Sequence, residues 1–152
     1  LEKAAMAVFP WMDDSANMVV FGDSRGGSAN FLTFERLLAY YRQTGNLEGV
    51  RKVSVALRKG IVLGKYCRSD VGWPGICTFV AEIPEETDVE NERASYSPHH
   101  RFITMKNWEH PYKMMACVYG GTKGYHLTPN GLALQLYAYG YALARIMLTI
   151  SL

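Results

Sequence analysis

Two periods divide this chain. Beyond residue 30 the apolar positions recur at intervals of three and four: Phe34, Leu37, Leu38 and Tyr41 share one side of a helix predicted over 31–44. Asn30 is its N-cap and Gly45 its stop. Asn46 caps a second helix directly, in which Leu47, Val50, Ser54, Leu57 and Ile61 repeat in the same way. Arg51, Lys52, Arg58 and Lys59 lie on its other side and read as a solvated charged face. Residues 1–12 read as the tail of another amphipathic helix, with Leu1, Ala4, Ala5, Val8 and Met12 at helical spacing and Pro10 disturbing the last turn.

Gly64, Gly72, Pro74 and Gly75 end the helical pattern, and residues 76–80 read as a short strand; 18–21 read as a short strand or as buried coil leading into the turn 22–27. Residues 84–91 are rich in Glu and Asp and form an exposed linker, where composition shifts. From Ala94 the period becomes two. Strands are predicted over 101–105, 113–119 and 132–143, the first two joined by the turn residues 107–111. In the third, Leu132, Leu134 and Leu136 alternate with Ala133, Gln135 and Tyr137. The same alternation carried on sets Tyr137, Tyr139 and Tyr141 on one face, which suits a sugar ring or a packed core. The expected fold is therefore α+β: a helical segment over 1–66, a connector over 67–94 and an incomplete antiparallel strand segment over 95–152.

Composition narrows the class. A chain of 152 residues that is 49% hydrophobic and 20% charged can bury a core and is not disordered. A net charge of +2 generates no field that would gather nucleic acid or a membrane surface, so neither is an expected partner. No apolar run approaches the ~20 residues of a membrane helix. The chain opens on Leu1 without a signal peptide, as a mature fragment would. Cys67, Cys77 and Cys117 are odd in number and lack metal-ligand spacing, so buried free thiols are expected, with a Cys67–Cys77 disulfide as the alternative. No bound metal and no cofactor are expected.

The candidate chemistry sits in Tyr119-Gly-Gly-Thr-Lys-Gly-Tyr-His126, a glycine-rich loop holding one histidine. Glycines at 120, 121 and 124 allow positive φ and close approach to a ligand. His126 is expected at the rim of a concave surface beside Tyr125. His99 and His100 are adjacent before a strand and face opposite ways, so they cannot jointly hold one metal. His110, before Pro111, reads as solvated. Val19-Val-Phe-Gly-Asp-Ser24 resembles the first block of GDSL-type esterases, with Ser24 as nucleophile. A serine needs a general base, yet no aspartate here is followed three residues later by histidine. The plainer alternative is a connecting loop.

Ser97-Pro-His-His-Arg-Phe-Ile-Thr-Met-Lys-Asn107, Met115-Ala-Cys-Val-Tyr-Gly-Gly121, Gly124-Tyr-His126 and Gly131-Leu-Ala-Leu-Gln-Leu-Tyr137 together resemble the heparinase II/III-like polysaccharide lyases. They look like the start of that family's C-terminal β-sandwich, and the helical pair like the terminal hairpin of its α/α toroid. The resemblance implies a fragment of a periplasmic or secreted lyase that cleaves an acidic, uronic-acid polysaccharide by β-elimination. It implies that His126 is catalytic, helping to neutralise the substrate carboxylate or assisting proton transfer, with Tyr125 and Asn130 binding substrate. The family's toroid Asn and Tyr have no counterpart here, and Tyr40 and Tyr41 do not match them, so independent catalysis is not expected. Many relatives read His-x-His-x-Asp where this chain has Thr128 and Asn130, which removes the residues that could hold a structural metal. The last eight residues depart from the family as a truncation or an abnormal tail. The alternatives are the Ser24 esterase and a noncatalytic carbohydrate-binding remnant.

Overall fold

The computed structural model describes residues 2–20, 26–85, 93–99, 101–120 and 130–149, with residues 74, 130–132 and 145–149 by backbone alone. The architecture is mixed α+β. Two compact units form, each from two stretches of chain: Leu1–Ala7 with Ser28–Glu90, and Val8–Gly27 with Asn91–Leu152.

The first unit is built on α2 (Phe31–Thr44) and α3 (Leu47–Val62), following the short α1 (Glu2–Met6). Both caps form as expected. Asn30 Oδ1 accepts from the Thr33 N–H at 3.3 Å, Asn46 Oδ1 accepts from the Gly49 N–H at 2.9 Å, and Gly45 turns left-handed at φ 71°. Phe34, Leu37, Leu38 and Tyr41 are buried, joined by Phe31 and Glu35. In α3 Val50, Ser54 and Leu57 are buried, but Leu47 and Ile61, at the two ends of the helix, stay exposed. Gly60 sets how closely the helices meet: a Cβ there would stand 2.5 Å from the Phe31 ring.

Three arginines hold the connector against this hairpin. Arg42 donates to the Glu82 carbonyl at 3.3 Å, and Arg58 to Pro84 at 2.9 Å and to Ile83. Arg68 donates to the carbonyls of Ala81, at 3.1 Å, and Val80. Arg58 is thus not part of a merely solvated face, because an extended segment lacks internal partners for its carbonyls and takes donors from elsewhere. No strand forms over 76–80. Residues Gly72–Ile76 make the one-turn helix α4 instead, with Pro74 in the first turn, where its missing N–H is no loss. Cys67 and Cys77 are free and exposed rather than buried: Cys67 precedes a 3₁₀ turn (Arg68–Val71) and Cys77 follows α4.

The second unit is a five-stranded antiparallel sheet in the order β3 (Ala94–Ser97), β4 (Phe102–Asn107), β5 (Met114–Tyr119), β6 (Asn130–Ala138) and β7 (Tyr141–Thr149). The long strand expected over 132–143 is in fact a hairpin. Tyr139 and Gly140, at φ 52° and 71°, make a two-residue turn with both φ positive, the hand that matches strand twist. Tyr137 therefore points into the core, Tyr139 sits in the turn, and Tyr141 begins the next strand: they do not share one face. Residues 141–149 pair with β6 as the last described strand of the sheet, with register shifts between Asn130 and Leu132 and between Leu136 and Tyr137.

One face of the sheet carries the core of Phe102, Met115, Cys117, Tyr119, Ala133 and Tyr137. The segment 8–20 covers it. It forms a 3₁₀ turn (Phe9–Trp11) around Pro10 instead of continuing a helix, and only β1 (Asn17–Met18) of the expected strand, paired with β2 (Gly27–Ser28). Val19 enters the core, and Trp11 meets Phe102 edge-on at 5.4 Å. Lys106 donates to the Phe9 carbonyl at 2.7 Å. Asp13 Oδ1 accepts from the N–H groups of Ser15 and Asn17, both at 2.8 Å, and so shapes a turn that meets Gly140.

Candidate functional site

Tyr125 and His126 lie outside the described residues, as does Ser24. The structure does define the points between which the His126 segment runs. Upstream, β5 ends at Tyr119 and the Gly120 N–H donates to the Arg101 carbonyl at 2.8 Å. Downstream, Asn130 opens β6 opposite Thr149, its side chain outside the described residues. Both points belong to the end of the sheet that also carries the turn between β3 and β4, residues 98–101.

That turn holds a residue the sequence pattern assigned to a strand. Arg101 is not in β4: its φ is 48°, its N–H donates to the Pro98 carbonyl at 3.3 Å, and its side chain is exposed. Gly120 packs directly on it, since a Cβ there would stand 3.1 Å from Arg101 Cβ and 3.3 Å from its carbonyl oxygen. Glycine is needed at 120 for this close approach, not for a positive φ. Exposed His99 stands in the same turn. This end of the sheet thus carries a permanent cation and an imidazole beside the start of the His126 segment. The signal was present in the sequence only as Pro98 three residues before Arg101, a turn cue.

The stretch around Ser24 is framed by Val20 and Gly26. The Val20 carbonyl accepts from the Gln135 amide, Gln135 Oε1 accepts from the Tyr137 hydroxyl, and the Val20 N–H donates back to that hydroxyl at 3.5 Å. This closed ring on β6 satisfies the buried Gln135 and explains a polar residue in a core position.

Two phenols elsewhere are unsuited to act as bases. Burial, with Glu2 second, pushes Tyr41 up to about 12. Burial and the bond from its hydroxyl to Glu35 Oε2, at 2.7 Å, raise Tyr66 as well. A phenol held protonated this firmly is structural at neutral pH. Burial likewise pushes the Cys117 thiol up to about 12, so it is no nucleophile.

Two exposed tyrosines and the half-buried His110 gather at the opposite end of the sheet. His110 meets Tyr112 at 5.0 Å, and Tyr112 meets Tyr139 at 5.3 Å. His110 Nδ1 also accepts from the Tyr112 N–H at 3.2 Å, so it is fixed rather than freely solvated. Among the described residues no three His, Cys, Asp or Glu side chains come together as a metal site, and no helix is long and apolar enough to cross a membrane. Comparison with family models, curated proteins and solved structures yields no match for this chain.

Proposed function

We propose that this chain is the toroid–sandwich junction of a lyase that cleaves a uronic-acid polysaccharide by β-elimination. The reaction needs the substrate carboxylate neutralised so that the C5 proton becomes acidic. A base then takes that proton, and an acid protonates the departing oxygen. His126 serves in charge neutralisation or proton transfer. Tyr125 and Asn130 bind the sugar, and Arg101 adds a charge-assisted contact to the carboxylate.

The observation that carries this reading is the bond from Gly120 to the Arg101 carbonyl. It ties the start of the His126 segment to a turn bearing an exposed cation, which suits an acidic saccharide. The all-antiparallel order of the five strands weighs against the esterase, whose nucleophile belongs at the end of a parallel strand feeding a helix. Carbohydrate binding without catalysis has separate support in the exposed rings of Tyr112 and Tyr139.

The test is the ultraviolet absorbance of the unsaturated uronide, followed on candidate acidic polysaccharides with the complete lyase. His126→Ala lowers turnover by roughly a hundredfold or more, the scale for losing a positioned acid–base group. Unchanged turnover removes His126 from the mechanism. Oligosaccharide binding that Tyr112→Ala and Tyr139→Ala abolish, with no elimination detected, favours the noncatalytic reading.

A further inference from the structure

The turn between β6 and β7 breaks a local rule. Both of its central residues have positive φ, a geometry that Asn-Gly adopts with least strain, yet the first is Tyr139 at φ 52°. A bulky side chain is held in the left-handed region against its own preference. Burial does not offset that strain, because Tyr139 is 55% exposed. The strain also lies inside the hairpin and is independent of what covers the sheet. What the Tyr139 ring does is complete a group. It lies 5.3 Å from the ring of Tyr112, itself 52% exposed, and Tyr112 meets His110 at 5.0 Å. Main-chain bonds fix all three. The Tyr139 N–H donates to the Tyr112 carbonyl at 2.9 Å, the Lys113 N–H to the His110 carbonyl at 2.8 Å, and the Tyr112 N–H to His110 Nδ1 at 3.2 Å. With Nδ1 accepting, the proton of the neutral imidazole is on Nε2, which is therefore a donor. Each ring of the group thus carries a polar atom: two phenol hydroxyls and one N–H.

We propose that His110, Tyr112 and Tyr139 form a binding site for a neutral saccharide. A pyranose presents an apolar C–H face and a rim of hydroxyls, and rings with polar tips match both at once. Local charge selects against an acidic sugar. Gly140 abuts Ser15, in the turn that carries Asp13 and Asp14. The cation of the adjoining loop is engaged, since Lys113 Nζ donates to the Trp108 carbonyl, and Glu109 is paired with Arg93. The field at this end of the sheet is therefore not one that gathers carboxylates, unlike the end that carries Arg101. A strained tyrosine kept in place of the residue the turn prefers is the mark of a side chain retained for contact with a ligand rather than for folding. The site does not depend on the lyase reading: loss or survival of elimination in His126→Ala leaves it standing.

Nuclear magnetic resonance of the 152-residue chain tests it, with cello-, malto-, xylo- and mannohexaose as neutral probes and a uronate hexamer as the acidic one. The imidazole resonances of His110 and the ring resonances of Tyr112 and Tyr139 should shift with a neutral hexamer and not with the uronate. The decisive variant is Tyr139→Asn, which removes the ring and supplies the residue the turn prefers. Binding should weaken by roughly tenfold or more, while the unfolding temperature stays at or above that of wild type. A ring kept only for packing gives the reverse, a lower unfolding temperature, and overturns the proposal. Tyr112→Leu, on the other loop, gives an independent reading and should weaken binding by a similar factor. The proposal also falls if no neutral hexamer shifts these rings, if the uronate alone does, or if both variants bind like wild type.

Discussion

Arg68 closes an ion pair on the fully buried carboxylate of Glu35, its Nε donating to Oε1 at 3.0 Å. Tyr66 donates to the other oxygen, so the carboxylate is satisfied on both sides. The same guanidinium lies 4.2 Å from the Phe79 ring centroid and donates to Val80 and Ala81. One side chain thus joins α2 to the connector.

Arg68→Met strands Glu35 without its counter-charge and is expected to cost about 3 kcal/mol. Urea unfolding followed by circular dichroism measures it. Limited proteolysis should cut the connector faster in the variant. A urea midpoint equal to that of wild type would show that Tyr66 alone suffices for Glu35.

Gly140 and Gly64 separate two costs of losing a glycine. Both have positive φ, 71° and 66°, but a Cβ on Gly140 would overlap Ser15 whereas one on Gly64 meets nothing within 4 Å. Gly64→Ala should cost about 1 kcal/mol, the backbone part alone, and Gly140→Ala at least about 2 kcal/mol. Thermal unfolding of the two variants compares them directly. Equal losses would mean that the turn containing Ser15 moves aside freely.

The three thiols should divide two to one. Cys67 and Cys77 are exposed and react at once with an aromatic disulfide, whereas buried Cys117 reacts only on unfolding. Rapid modification of all three in the native chain would contradict the burial of Cys117.

Alkaline pH should weaken the sheet unit in a defined window. Burial raises Cys117 from 9.0 to about 12, so the fold favours the thiol. That stabilisation is fully present below pH 9. It is lost as pH rises towards 12, because the unfolded chain releases a proton there that the folded chain retains. Urea midpoints of wild type should fall more steeply than those of Cys117→Ala between pH 9 and 11. Parallel curves would remove Cys117 as the cause.

Arg101 can be tested apart from His126. On the proposed lyase reading, Arg101→Gln in the complete protein should raise KM for an acidic polysaccharide by roughly tenfold, the scale of one charge-assisted bond. Stability should stay within about 0.5 kcal/mol, as for most exposed positions. An unchanged KM takes Arg101 out of the site.

The sequence by itself determined the elements whose causes are local. Asn30, Gly45 and Asn46 bound two helices because each cap acts within a few residues of itself, and the three-four spacing of Phe34, Leu37, Leu38 and Tyr41 chose the buried side. The switch to period two after Ala94 likewise marked where strands begin. Tertiary structure decided whatever depends on partners distant in sequence. Tyr139 is an unusual residue at positive φ, so the turn that splits the expected long strand carried only Gly140 as a cue. The covering of the sheet by residues 8–20 rests on Val19, Trp11 and the ring through Gln135 and Tyr137, more than 100 residues away along the chain. Arg58 and Arg68 have no local signature separating a clasp from a solvated charge, because the connector carbonyls they donate to are groups that every residue owns. Arg101 joined the candidate site the same way, through a single bond from Gly120. Periodicity is a property of one element, whereas a partner exists only once two elements have met.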